Sequence, residues 1–450
     1  MDTIAGPEGS ETPSRSGMRT FFVVWSGQVV SVLGTSLTGF GLQIWVYIET
    51  GSVTALAIAS LCYSIPSTLI APVAGALVDR WDRRRVMLAS DAAAGVATMI
   101  IAGLFMMDSL EVWHVYGLVG VGAVGNAFQG PAWMASIPLL VPKRQLGRVN
   151  GLVQLNGSLS GVLSPALAGL ILVTLGLGGI LVVDVATFLV AVGALVVVRF
   201  PRPKHDADTA TGSVLGDARF GWRYIKDRPG LFRLLWVYAG VNFGLRFVGI
   251  LIIPLVLAFS NEAAVGAIFA IGGIGAVLGS LAVSAWGVPR KRIRGTMSTI
   301  GIAGIGVAMN GIAPSIFIIA AGGFLSSAVI PIALSASQVI WQTKVAPAVQ
   351  GRVFAIRLMI ASAIEPIAIL AAGPLADRVF EPLLAEGGAL ANSVGAIIGT
   401  GTGRGVAFMF ILAGLLVTVM SAIGYSDPRI RNLETELPDH IDDEPAEATA

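Results

Sequence analysis

Long apolar runs recur along the whole chain and are separated by short polar stretches. Each run is long enough to cross a hydrocarbon layer of roughly 30 Å as a helix. The pattern predicts twelve spans, at roughly 20–48, 53–78, 86–107, 113–139, 147–174, 178–199, 231–259, 262–287, 295–311, 313–342, 352–376 and 404–424. We therefore expect an all-α protein that crosses a membrane twelve times.

The composition supports this interpretation. Of the 450 residues, 55% are hydrophobic and 12% are charged, whereas about a quarter of the residues in a soluble domain are charged. The single cysteine, Cys62, excludes a disulfide within the chain. The three histidines, His114, His205 and His440, are too scattered to form a metal cluster, and we expect neither a metal nor a cofactor.

The positions of the basic residues predict the orientation. If both termini are cytoplasmic, all but three of the 29 Lys and Arg residues lie in tails, cytoplasmic loops or cytoplasmic helix ends. The exceptions are Arg378 and Arg404 on the outer side and Arg246 within a span. We therefore expect a multi-pass protein of the plasma membrane with both termini in the cytoplasm.

The polar stretch between the sixth and seventh spans divides the chain into two halves of six spans. Its second part, "GDARFGWRYIKDRP", has the pattern of a short amphipathic helix on the inner leaflet. The halves echo each other, since "RRR" after span two is matched by "PRKRIRG" after span eight. The predicted domains are an N-terminal tail (1–19), a first bundle (20–199), a linker (200–230), a second bundle (231–424) and an acidic, disordered tail (425–450).

One charged loop carries a family resemblance. The stretch "GALVDRWDRRR" resembles the signature loop between spans two and three of the major facilitator superfamily. Asp82 stands where that family usually has glycine. The matching residues are Gly75, Leu77, Asp79, Arg80, Arg83 and Arg84.

Further stretches resemble the branch that contains macrolide-efflux proteins and enterobactin exporters. They include "NAFQGPAWMASIPLLVPKRQLGRVNGL" and "WQTKVAPAVQGRVFAIR", and the similarity covers nearly the whole chain. The resemblance implies two pseudo-symmetric six-helix bundles and a secondary transporter that exports a small amphipathic molecule, such as a drug, macrolide or siderophore, in exchange for protons. It implies a monomer in the lipid bilayer with no nucleic-acid partner.

Two alternatives remain open from the sequence. One is a lipid or lysolipid translocator of the same fold, and the other is a membrane sensor or scaffold that transports nothing. An enzyme is disfavoured, because the sequence shows no nucleophile–base pair, metal set or ATP motif.

In the family the signature loop works as a cytoplasmic latch. The resemblance implies that Asp79 lies near the start of span eleven, where helix N–H groups favour an anion. It implies that Gly75 allows close approach of the two halves and that Arg83 and Arg84 pair with carboxylates or lipid phosphates. Asp91 is a plausible internal partner. The alternative is that these charges only anchor and orient the chain.

The stretch "SGVLSPALAG" in span five resembles the antiporter motif of the family, with glycines replaced by Ser160, Ser164 and Ala168. Small side chains there allow close helix contact, and a proline bends the span. The retained or substituted positions of this packing motif are Ser164, Pro165 and Gly169. A packing role and an antiporter-specific role both remain open.

Charged groups inside spans are costly and often mark a transport pathway or an ion pair. Arg246 lies sixteen residues beyond Gly230 and Glu365 lies fourteen beyond Gly351, so both lie at similar depths of about 24 and 21 Å. We take Glu365 as the proton-exchanging carboxylate, tuned by Arg246, with a static structural pair as the alternative. Asp184 lies near the predicted outer surface, where a cap or surface acceptor is favoured over a relay.

Six amides lie in spans one, four, seven and ten, which line the central cavity in the family. By resemblance they are candidates for substrate contact, although helix–helix hydrogen bonding is the ordinary role of an amide in a membrane. These candidates are Gln28, Gln43, Asn126, Gln129, Asn242 and Gln338.

Overall fold

The computed structural model describes residues 15–78, 81–142, 145–198, 214–346 and 349–439, and within these ranges it is helical, with no strand. In chain order the helices are α1 (Arg15–Thr50), α2 (Val53–Val78), α3 (Arg83–Met106), α4 (Val112–Leu140), α5 (Leu146–Val197), α6 (Val214–Lys226), α7 (Pro229–Gly249), α8 (Ile252–Leu257), α9 (Glu262–Trp286), α10 (Arg292–Met309), α11 (Ile316–Lys344), α12 (Gln350–Leu375), a π-helical turn (Ala376–Phe380), α13 (Glu381–Leu384), α14 (Gly395–Ile398), α15 (Arg404–Ser426), α16 (Pro428–Arg431) and α17 (Leu433–Glu436). The predicted all-α membrane fold is confirmed.

The fifth and sixth predicted spans form one continuous element, α5, with a break in its middle. Gly176 has φ 67° and ψ −171°, so the helical backbone is interrupted there. Only glycine adopts such angles without strain, since it has no Cβ. The break therefore divides α5 near the predicted boundary between spans five and six.

Nine stretches of the described residues are long and apolar enough to cross a membrane. They run from Met18–Thr50 to Arg404–Ser426, and Ser160–Val197 contains the break at Gly176. The length and apolar character of these helices follow from composition, because a helix surrounded by lipid needs no polar face. The count of twelve spans remains a prediction.

Contacts between Cα atoms divide the chain into two compact units that do not follow the predicted halves. The first contains the described residues within Met1–Phe40, Cys62–Ser160 and Leu175–Ala207. The second contains those within Gly41–Leu61, Gly161–Thr174 and Asp208–Ala450. The end of α1, the start of α2 and a middle segment of α5 therefore pack within the second unit, which periodicity along the chain could not predict.

The second half of the predicted linker forms α6. Its polar residues face outward, whereas Ile225 is fully buried within an apolar cluster of the second unit. A Cβ on Gly221 would come within 2.5 Å of the carbonyl oxygen of Arg352 in α12. The apolar face of this helix therefore packs against protein, and not simply against the inner leaflet as the sequence suggested.

The prediction of a disordered tail from residue 425 is wrong for the part that the structure describes, up to residue 439. Asp427 caps α16, and Ile430 and Leu433 are each 1% exposed in the core of the second unit. The two carboxylate oxygens of Glu434 accept hydrogen bonds from the backbone N–H groups of Arg292 and Ile293 at the start of α10. The acidic composition of the tail gave no indication that Ile430 and Leu433 are buried or that Glu434 caps α10.

A buried cation also holds the tail. The Lys344 side chain is 3% exposed, and its Nζ lies 2.6 Å from the carbonyl oxygens of Glu434 and Leu437 and 2.8 Å from Asp439 Oδ1. Arg233 donates to both carboxylate oxygens of Asp427 at 2.9 and 2.8 Å. Burial alone would raise the pKa of Asp427, but hydrogen bonds from Arg233 and from the Arg429 N–H hold it below its usual range.

We expect Leu433→Asp to detach the tail from the second unit. The lost side-chain packing alone is worth about 2–5 kcal/mol, and the new carboxylate would be buried without a partner. Limited proteolysis of the purified protein should then cut between residues 427 and 439, and the thermal midpoint should fall. Glu436→Gln, at an exposed position of the same helix, should leave both measurements unchanged. Equal protease resistance of the two variants would contradict this prediction.

Candidate functional site

The signature loop is described only in part. Asp79 and Arg80, the centre of the predicted latch, lie outside the described residues. Gly75 and Leu77 are half-buried near the end of α2. A Cβ added to Gly75 would meet no atom within 4 Å among the described residues. The close approach of the two halves at Gly75 remains a prediction.

The arginines of the loop bind backbone carbonyls in the first unit. Arg83 donates to the carbonyl of Ala135 in α4 at 2.7 Å. Arg84 donates to the carbonyls of Leu195 and Val196, at the end of α5, both at 2.8 Å. These partners differ from the carboxylates and lipid phosphates that we expected. The last carbonyls of a helix have no intrahelical donor, so a nearby guanidinium satisfies them.

Asp82 has a local role that explains its departure from the family pattern. It is the N-cap of α3, in extended conformation with φ −66°, and its Oδ1 accepts the backbone N–H of Arg85 at 3.1 Å. Aspartate is one of the preferred N-cap residues because its oxygen satisfies an unpaired N–H of the first turn. The turn into α3 therefore uses a cap where relatives use a flexible glycine.

Asp91 is the centre of a buried polar cluster in the first unit. It is 8% exposed. Gln28 Nε2 donates to its Oδ2 at 3.0 Å, and Gln129 Nε2 donates to its Oδ1 at 2.9 Å and to Gln28 Oε1 at 2.8 Å. Among the described residues, the partners of Asp91 are therefore amides of α1 and α4, and not Arg83 or Arg84.

Asp184 lies in a second buried cluster of the same unit, so it is not the surface acceptor that the sequence favoured. It is 3% exposed, and its carboxylate accepts hydroxyl hydrogen bonds from Thr98 at 3.0 Å and from Thr35 at 3.5 Å. Thr98 follows Asp91 by two turns of α3, and Thr35 follows Gln28 by two turns of α1. The two clusters are therefore about 10 Å apart along both helices. Counting residues along the span gave an expected depth for Asp184 but could not indicate which helices surround it.

Arg246 and Glu365, predicted from matching depths, lie together in the second unit. Arg246 NH1 is 3.4 Å from Glu365 Oε2. The side chains are 59% and 30% exposed, so neither charge is sealed in the core. Pro366 follows Glu365 within α12, and its missing N–H leaves the helix without one hydrogen bond at this turn. The pair has the chemistry of a carboxylate that can exchange a proton beside a permanent cation.

Sequence reasoning missed Arg357, which it counted as a cytoplasmic helix end. Its NH1 donates to Gln338 Oε1 at 2.9 Å, its NH2 lies 3.3 Å from Ser337 Oγ, and its guanidinium stacks over the Trp341 ring. These partners all lie on α11. The signal in the sequence was its position, since Arg357 lies eight residues before Glu365 and therefore about two turns along the same helix.

The remaining amide candidates do not share one environment. Asn126 is exposed and donates to the hydroxyl of Tyr63, while Gln43 and Asn242 are half-buried. A separate groove of about 650 Å³ lies between α3 and α4. It is lined mainly by apolar residues, with Asp82 and Arg85 at one end, and by none of the six amides.

The packing motif of span five makes a close helix contact within the second unit. A Cβ on Gly169 would lie 2.8 Å from the carbonyl oxygen of Glu262 and 3.0 Å from the Cα of Gly266 in α9. Gly266 in turn lies against the carbonyl of Pro165. Ser164 is 2% exposed beside this contact. The geometry is that of small residues that let two helix backbones touch.

Among the described residues, no group of His, Cys, Asp and Glu could hold a metal ion. His205 and His440 lie outside the described residues. His114 accepts the backbone N–H of Glu111 at 3.0 Å through Nδ1, as part of the capping box of α4. Its described role is therefore structural.

Long apolar helices with polar clusters and an ion pair between them define a multi-span membrane transporter. A family model described as "Major Facilitator Superfamily" matches residues 24–365. The chain belongs to this superfamily, whose members are transporters and not enzymes.

Curated relatives of the chain include efflux proteins. It is 30% identical over 366 residues to "Macrolide efflux protein A" of Streptococcus pyogenes, covering 80% of this chain and 90% of the relative. It is 28% identical over 377 residues to "Multidrug efflux pump Tap" of Mycolicibacterium fortuitum, covering 78% and 90%.

Solved transporter structures share the fold. A bacterial homologue of the human lysosomal transporter Spinster, inward-facing and unoccupied, superposes with a TM-score of 0.66 at 14% identity, covering 92% of this chain and 96% of that one. The nucleoside transporter NupG gives a TM-score of 0.63 at 12% identity, covering 92% and 100%. At such identities the likeness shows the fold alone.

Proposed function

We propose that this chain exports a small amphipathic molecule, of drug, macrolide or siderophore type, across the plasma membrane in exchange for protons. Its similarity to a macrolide efflux protein and to a multidrug efflux pump supports an efflux role. Membership of the superfamily supports secondary transport, in which the protein alternates between inward and outward access.

The observation that carries the proton coupling is the pair of Arg246 and Glu365, 3.4 Å apart and partly exposed. A carboxylate that is not enclosed by protein side chains is free to gain and lose a proton during a cycle, whereas a fully buried ion pair is static. Protonation of Glu365 removes its charge and releases Arg246 for another partner. A substrate that binds the unprotonated state better than the protonated one is then exchanged for the proton.

Asp184 is the second candidate for a proton carrier. Its described partners are hydroxyl groups, which do not neutralise its charge, and a buried charge in a membrane protein needs a proton or a cation nearby. Glu365 remains the first candidate because a permanent cation lies beside it.

The cytoplasmic latch and the orientation belong to the same proposal. Both termini lie in the cytoplasm, Asp79 closes the cytoplasmic side against the start of α12, and the transporter works as a monomer. In support of this role, Arg83 and Arg84 hold the start of α3, where the loop ends, against carbonyl groups of α4 and α5.

Transport by the purified chain in proteoliposomes tests the function. With an imposed pH gradient, at least one compound among macrolides and siderophores should accumulate, and collapse of the gradient with an ionophore should abolish the accumulation. Uptake that is equal with and without the gradient would replace antiport by facilitated diffusion. Accumulation of lysolipids but of neither other class would replace drug efflux by lipid translocation.

A further inference from the structure

The π-helical turn that follows α12 carries a carboxylate that binds the start of another helix. Asp377 Oδ2 accepts the hydroxyl of Ser52 at 2.7 Å and the backbone N–H of Thr54 at 2.8 Å, and its Oδ1 accepts the N–H of Val53 at 2.9 Å. These are the first N–H groups of α2, which have no partner within their own helix. All four residues belong to the second unit.

A second carboxylate on the same segment binds a different helix start. Glu381 accepts the N–H groups of Gly403 at 3.0 Å and of Val406 at 2.9 Å, where α15 begins. Asp377 lies within the π-helical turn, Ala376–Phe380, and Glu381 follows it directly. Single π-helical turns are rare and change the direction of the side chains that follow them. Here two acidic side chains, four residues apart, reach two different helix ends.

One turn before Asp377, the helices touch without intervening side chains. A Cβ on Gly373 would lie 2.7 Å from the Cα of Thr54 and 3.1 Å from the Cβ of Ala57. Ala57 is 2% exposed, so the contact excludes solvent. A smooth glycine surface of this kind allows two helices to separate and return without repacking large side chains.

The exposure of these groups distinguishes them from the other acidic clusters. Asp377 and Ser52 are half-buried, so water can replace their hydrogen bonds when the helices part. Asp91 and Asp184 are almost completely buried, so their hydrogen bonds are less open to exchange with water. A contact that opens and closes needs hydrogen bonds that are strong in the closed state. Water must also be able to replace them in the open state at a low cost in free energy.

We propose that Asp377, bound to Ser52, Val53 and Thr54, forms an outer clasp, with Glu381 as its anchor on α15. The clasp holds the first part of α2, up to Leu61, on the second unit, while α2 continues into the first unit. During the transport cycle the clasp releases the first part of α2 from the second unit. The role assigned to opening rests on the alternating access of the proposed function, whereas the contact itself does not.

Cysteine labelling tests the clasp without any substrate. In a Cys62→Ser background, which removes the only cysteine of the chain, Ala57→Cys places a reporter at the glycine contact. The purified protein in nanodiscs is labelled with a hydrophilic maleimide, which reaches either face. Asp377→Ala should raise the labelling rate at least about tenfold, since three hydrogen bonds to a charged group are lost. Asp377→Asn and Ser52→Ala, which each keep part of the contact, should give smaller increases.

Two controls separate gating from folding. Glu386→Gln, an exposed acidic position soon after the clasp, should label at the parent rate. The thermal midpoint of each variant is measured in the same nanodiscs. A lower midpoint for Asp377→Ala without faster labelling would overturn the proposal, because the contact would then be purely structural. Faster labelling in a chain that shows no gradient-driven transport would support the clasp and contradict the proton antiport.

Discussion

Glu365→Gln is expected to abolish transport driven by a pH gradient while leaving the protein folded in the membrane. Glutamine has nearly the same size as glutamate but cannot exchange a proton, so the coupled step is lost and the fold is not. The ion pair with Arg246, at 3.4 Å, becomes a contact between an arginine and a neutral amide. Because both side chains are partly exposed, the loss of the ion pair should change the stability of the fold only slightly. We expect at least a tenfold fall in gradient-driven accumulation in proteoliposomes. Exchange of substrate without a gradient should persist.

Two further variants make this test specific. Arg246→Gln, which removes the permanent cation beside Glu365 but keeps a polar side chain, should lower gradient-driven accumulation and leave the protein folded. Glu49→Gln, at the exposed end of α1, should transport like the parent. Full gradient-driven accumulation by Glu365→Gln would disprove its role and leave Asp184 as the remaining candidate. The equivalent test of Asp184 is then Asp184→Asn.

Asp91→Ala is expected to be the most damaging change to the folding of the first unit. It removes the common acceptor of Gln28, which is 6% exposed, and of Gln129, which is half-buried. Hydrogen bonds to a charged group contribute about 1.5–3 kcal/mol each. The membrane reference state reduces such values, because the unfolded chain also finds partners there. We expect a clear fall in thermal midpoint and in the yield of monodisperse protein.

Asp91→Asn is the matched variant. Its amide keeps one oxygen acceptor and nearly the same volume, so it should recover much of the lost stability. A midpoint for Asp91→Ala equal to that of the parent would show that Gln28 and Gln129 suffice without the carboxylate. If Asp91→Asn instead folds normally but does not transport, Asp91 takes part in coupling as well as in folding.

The site residues differed in how far sequence could define them. The pairing of Arg246 with Glu365 was open to prediction because both spans start at recognisable glycines and rise by a constant distance per residue. The neighbours of Asp91 and Asp184 were not, since they come from three or more helices whose relative rotation is not encoded by any local pattern. Arg357 was misjudged for the same reason. It was counted only among the basic residues of cytoplasmic loops and helix ends, and only the packing of α11 gives it Gln338 and Trp341.

The tail and the clasp show a second limit of sequence reasoning. Low apolar content predicted disorder after residue 425. Two buried apolar side chains and one capping glutamate are nevertheless enough to hold this segment against the second unit. The sequence "GPLADR" contains Asp377 but does not indicate its binding partner. That partner, the start of α2, lies more than three hundred residues away in the chain.

By itself, the sequence determined the membrane class, the helical fold and the family of this protein. Those properties depend on the length, apolar content and order of segments, which lipid and backbone hydrogen bonding convert directly into helices. Only the tertiary structure decided which polar groups meet: Asp91 with two glutamines, Asp184 with two threonines, and Asp377 with the start of α2. In a bilayer every helix face is apolar enough to face either lipid or protein, so the choice of neighbours depends on side-chain shape and on distant hydrogen-bond partners.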